Sequence, residues 1–163
     1  MQKVTKLLLV LLMLPFVFAS AASNKEVSEK RVAAYLMVFH RDDTHSLYMA
    51  LSRDGYHFTA LNNARPVISG DTIAEQRGVR DPHIYRGPAD AFYLVATDLH
   101  IYAQREGKRE TEWERDGETY GWGNNRGLVL MKSSDLIHWT HTVVHINEMS
   151  PELSDIGCAW APE

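Results

Sequence analysis

The chain has 163 residues, 45% of them hydrophobic, with 17 basic and 21 acidic side chains and one cysteine. Residues 1–21 hold two of the basic residues and none of the acids, so the remainder carries a formal charge of −6. A mildly acidic chain without a basic stripe is not built for nucleic acid or an anionic membrane surface. Cys158 has no partner cysteine, so no disulfide inside the chain can staple the fold.

The amino terminus predicts a targeting segment. Lys3 and Lys6 precede an apolar run from Leu7 to Ala19, and Ala19-Ser20-Ala21 supplies the small residues of a cleavage site. The run of about 13 residues is too short to span a bilayer about 30 Å thick. Residues 1–21 are therefore read as a cleaved signal peptide, with the protein secreted or periplasmic and not membrane-bound once it is removed. Residues 22–163 then form one domain at most.

Beyond residue 21 the pattern is short apolar runs punctuated by Gly, Asp, Asn and Pro. Strands are predicted at VAAYLMVFH (32–40), SLYMALS (46–52), YHFTAL (56–61), PHIYRG (82–87), AFYLVATD (91–98), GLVLMKS (127–133) and HWTHTVVHI (138–146). No long stretch keeps a helical period, so the fold class is all-β.

Two stretches repeat. Ser52-Arg53-Asp54-Gly55-Tyr56-His57-Phe58-Thr59 aligns with Ser133-Ser134-Asp135-Leu136-Ile137-His138-Trp139-Thr140, and each follows an apolar strand. The Ser-x-Asp corner reads as a turn whose side chains bond their own backbone, a structural role. Antiparallel units of about 40–50 residues suggest propeller blades. Between two strands lies a long charged insertion, residues 99–126, containing Trp113, Tyr120 and Trp122. It reads either as a functional loop or as a solvated flap.

Asp81 is the first candidate for chemistry. Pro82 disfavours the helical region for Asp81 and pushes it to an extended backbone, and a proline suits the first position of a strand. A carboxylate held this firmly could act as a general base. The plainer reading is an aspartate at a turn or strand start. His138, His141 and His145 invite a zinc site, but on a strand His138 and His141 point to opposite faces, so no metal is expected.

GVRDPHIYRG (78–87), FYLVATD (92–98), GWGNNRG (121–127), LMKSSDLIHWT (130–140) and WAPE (160–163) follow one another in an order and spacing that resembles glycoside hydrolase family 43. The resemblance runs from about Tyr35 to Glu163. It implies secreted bacterial enzymes acting on arabinose- and xylose-containing plant polysaccharides, a five-bladed β-propeller, and no cofactor. About the first three blades would lie in this chain. It implies that Asp81 is the general base that activates water for attack with inversion. It also implies two further acids downstream of the Trp-Ala-Pro-acid motif, so the chain is expected to be an incomplete and inactive part of an enzyme. Asp98, His100, Trp160 and Glu163 are the residues expected to contact the oligo- or polysaccharide. For Asp98 and His100 a polar loop start is the alternative, and for Trp160 a place in the core. The rival reading of the whole chain is a non-catalytic carbohydrate-binding β domain using Trp113, Trp122 and Trp160. A structural β-repeat protein with no sugar site is the third.

Overall fold

The computed structural model describes residues 32–163. The signal peptide expected at residues 1–21 lies outside them. Seven strands follow in chain order: β1 (Tyr35–Arg41), β2 (Ser46–Ser52), β3 (Thr59–Ala60), β4 (Val79–Arg86), β5 (Phe92–Asp98), β6 (Gly127–Ser133) and β7 (Thr140–His145). Two single-turn helices, α1 (Gly70–Ile73) and α2 (Gly117–Tyr120), interrupt the connections. The all-β class holds.

Both sheets are antiparallel meanders, β1-β2-β3 and β4-β5-β6-β7. The described residues thus give two sheets, where length alone pointed to about three blades. The difference is chain spent without strands, in residues 99–126 and 146–163.

The core lies between the sheets. Leu47 and Met49 of β2 meet Val79, Leu94, Ala96, Val129 and Met131 of β4, β5 and β6, with Ile73 and Ala74 closing one side. Burial alternates cleanly along β6, where Val129 and Met131 are buried while Leu130 and Lys132 are exposed. Full burial of such side chains contributes about 1.5–3 kcal/mol each.

The repeated stretches fold alike. Ser52 Oγ accepts from the Asp54 and Gly55 amides, and Asp54 Oδ1 accepts from the Tyr56 and His57 amides at 2.9 and 2.8 Å. Ser133 and Asp135 repeat every bond with Leu136, Ile137 and His138. Each aspartate also holds the following histidine ring, at 2.7 Å for His57 and 2.8 Å for His138. These bonds depress both carboxyls below the ordinary range. The corner explains why the strand predicted at 56–61 shrinks to Thr59–Ala60: residues 54–57 belong to the turn.

Candidate active site

Asp81 sits inside β4, not at its start. The β4–β5 register pairs Arg80 with Thr97 and then His83 with Val95, so β4 carries one extra residue at Asp81-Pro82. This is a β-bulge. It accommodates Pro82, which has no ladder donor to offer. The expected extended backbone is not found: Asp81 has φ of +47°, in the left-handed region. Aspartate enters that region more readily than most residues, at a cost of about 1–2 kcal/mol. Pro82 disfavours only the right-handed helical region, and the bulge takes the remaining freedom.

A neighbouring strand offsets part of that cost. The Asp81 amide donates to His40 Nδ1 at 3.0 Å across the β1–β4 contact. His40 is therefore the tautomer with its proton on Nε2, 3.4 Å from Asp42 Oδ1. Burial, and then the Arg80 guanidinium, hold the His40 pKa below its ordinary value, which keeps the Nδ1 lone pair available. Arg80 itself is bound to Asp42 Oδ1 at 2.7 Å. The Asp81 carboxylate stays 4.0 Å from His40 and is 41% exposed. The backbone is pinned and the carboxylate is presented to solvent.

Asp98 is placed differently. It is 1% exposed, and its carboxylate accepts from the Glu75 and Gln76 amides at 3.1 and 2.8 Å. It ties the segment before β4 to the end of β5 from within the fold, and burial pushes its pKa up to about 6. His100 is also enclosed. Its ring stacks on that of His45 at 3.9 Å and 10°, its Nδ1 accepts from the Tyr102 amide, and Nε2 lies 3.3 Å from Glu106. Burial lowers both histidine pKa values, that of His45 to about 3. Asp98 and His100 are thus both buried among the described residues.

Trp160 and Glu163 lie on the chain that returns along β5, where the Ala161 amide donates to Thr97 Oγ1 at 3.0 Å. Trp160 is 37% exposed and its Nε1–H donates to Asn125 Oδ1. The Asn125 amide nitrogen donates to the Asp98 carbonyl at 3.1 Å, so Asn125 links two of the expected site residues. Glu163 borders a depression of about 620 Å³ on the outer face of the second sheet, with His83, Tyr85 and Tyr93. Residues of β4, β5, β6 and β7 line it, and Asp81 does not.

Several residues were not singled out by sequence reasoning. Asn124 and Asn125 are 1% and 0% exposed. Asn124 accepts from the Arg115 amide at 2.7 Å and donates to the Gly121 carbonyl at 2.8 Å. Glu114 grips Arg126 through both the guanidinium, at 2.8 Å, and the backbone amide, at 2.6 Å. Bonds to charged groups contribute roughly 1.5–3 kcal/mol each, so Glu114 ties the middle of the insertion to its last residue, next to β6. The Asn-Asn-Arg run was legible as a motif, but its partners were not. His40 gave no signal at all, because its contact with Asp81 spans 41 positions.

The description "Probable glycosyl hydrolase domain", a glycosyl hydrolase 43-related family, matches residues 30–163. The chain belongs to this family. It is also 29% identical over 112 residues to an alpha-L-arabinofuranosidase of Bifidobacterium longum subsp. longum. That alignment covers 68% of this chain and 9% of the relative, so the chain spans less than a tenth of the length of the curated relative it matches. No solved structure matches the chain.

Proposed function

We propose that this chain is part of an exported glycoside hydrolase acting on arabinose- or xylose-containing polysaccharide, with Asp81 as the general base. The observation that carries the reading is the presentation of Asp81: a bulged, left-handed backbone pinned by His40, with an exposed carboxylate. Family membership and the arabinofuranosidase relative support the reaction class. In the proposed mechanism Asp81 takes a proton from water as the water attacks the anomeric carbon, and the configuration inverts. The acid that protonates the leaving oxygen would stand about 6.5–9.5 Å away. We assign it, and the remaining blades of a five-bladed propeller, to sequence outside residues 32–163. The signal-peptide pattern read in the sequence of residues 1–21 supports export to the periplasm or beyond the cell.

The test is Asp81→Asn in a form of the protein that hydrolyses aryl arabinosides or xylosides. The substitution keeps shape and removes the base. The expected result is a fall in kcat of about 10²–10⁴-fold with KM little changed. A loss smaller than about tenfold rejects Asp81 as the base. The rival carbohydrate-binding reading draws support from the exposed indole of Trp122. It predicts sugar binding indifferent to Asp81 and no turnover in any form.

A further inference from the structure

The residues of the insertion assemble something the catalytic reading does not use. Trp122 is 73% exposed, which is unusual for the largest side chain in proteins. It is not loose. Its ring meets buried Trp113 edge-on at 5.1 Å and Trp160 edge-on at 5.3 Å. Gly121 and Gly123 flank it with φ of +83° and +72°, left-handed values that glycine adopts without strain. A Cβ at Gly123 would collide with the Trp160 ring, so the approach of this ring to the backbone beside Trp122 needs glycine there.

Below the indole lies a cleft of about 490 Å³. Trp113 and Trp122 form its apolar part, and Glu110, Glu112 and Glu118 stand on its rim. The one cation of the cleft wall, Arg115, is engaged elsewhere. It donates to the Gly157 carbonyl at 2.9 Å and lies 4.2 Å over the Tyr120 ring. Asp116 is likewise committed, to the Glu118 and Thr119 amides of α2.

We propose that this cleft is a second saccharide subsite, in which a neutral pentose unit stacks its C–H face on Trp122 and donates hydroxyl hydrogens to the rim carboxylates. The chemistry selects that ligand. An aromatic platform with a few convergent polar groups suits a ring with one apolar face and a hydroxyl edge. Four acids, Glu110, Glu112, Asp116 and Glu118, outnumber the one cation of the lining, Arg115, which disfavours uronates and phosphates. An acyl chain or an apolar peptide would need more apolar wall than two indoles provide. The choice of pentose rests on the glycosidase reading above, whereas the subsite itself does not need Asp81.

The test uses the 163-residue chain, titrated with arabinotriose, xylotriose and trigalacturonate and followed by indole N–H resonances and calorimetry. A neutral trisaccharide is expected to bind in the millimolar range and to shift the Trp122 resonance, while trigalacturonate does not bind. Trp122→Ala should weaken binding at least tenfold, Trp122→Phe should restore part of it, and Trp122→Leu, equally apolar but not flat, should not. Near-UV circular dichroism checks that each variant is folded. Asp81→Asn should bind as the unmodified chain does. The subsite is overturned by unchanged binding in the Trp122 variants, by equal binding of trigalacturonate, or by no binding of either neutral sugar at 20-fold above a millimolar scale. Unchanged binding in the Trp122 variants overturns the subsite while leaving the catalytic reading in place, because that reading is tested by the turnover of Asp81→Asn.

Discussion

At neutral pH the Asp98 carboxylate is charged in a place that charges avoid. Two backbone amides offset the loss of water, but burial wins and its pKa rises to about 6, from 3.8. Between pH 4 and pH 6 the folded chain therefore keeps a proton that the unfolded chain has released, so this group makes stability fall as pH rises through that window. At about 1.4 kcal/mol per pKa unit the effect approaches 3 kcal/mol. His45 acts in the opposite direction. With its pKa held near 3, folding is weakened as pH drops below 6.5 and the unfolded ring takes up a proton. Urea unfolding of the parent and of Asp98→Asn, measured in parallel from pH 4 to 6.5, separates the two. The parent should lose up to about 3 kcal/mol relative to the variant, and a constant difference would refute the assignment. Asp81 and Asp98 were both visible in the sequence as candidate site residues, the one as a base and the other as a sugar contact. Their division into a presented and an internal carboxylate was not, because burial depends on which distant segment lands on each. His40 shows the same limit from the other side.

The Ser-x-Asp corner is the element most fully legible in the sequence. Its hydrogen bonds join residues two or three apart, so local spacing contains the answer. The two copies differ at one telling position. The first has Gly55 with φ of +78°, and the second has Leu136 with φ of +65°. Leucine there carries a cost of about 1–2 kcal/mol that glycine avoids. Glycine returns part of the gain through the greater freedom of the unfolded chain. Leu136→Gly is therefore expected to stabilise the fold by up to about 1 kcal/mol in urea titration, and a net loss would mean that the half-buried leucine contributes more by packing than it costs in strain. The bulge in β4 was less legible. Asp-Pro announced a break in the ladder, but a strand start and an interior bulge satisfy the same local constraints. Only the pairing with Thr97 and Val95 distinguishes them.

On the scale of the molecule, strand number and order followed from the sequence, whereas the distribution of strands between sheets did not. The two sheets bury one face each against the other, and the second sheet leaves its far face open. Tyr85, Tyr93 and Leu130 are 58%, 39% and 40% exposed there. An open apolar face of this kind asks for a cover, and in the propeller proposed above another sheet supplies it. Hydroxyl-radical footprinting should label Tyr85 and Tyr93 strongly in the 163-residue chain and several-fold less in a longer form carrying the further sheets. Equal labelling in both would remove the propeller.

The bulge at Asp81 also has an implication for sequence change over time. Val79 and Ile84 both pack toward the core although five positions separate them, an odd spacing that a regular strand cannot give to one face. Deleting Pro82 would make the spacing even, leave every β4 residue with an amide to offer β5 and remove the need for the strained φ at Asp81. The candidate base thus stands beside an extra residue that the sheet would fold more easily without. In a library of single-residue deletions selected for stability alone, loss of Pro82 should be among the most tolerated changes in any strand, while selection for sugar cleavage should eliminate it.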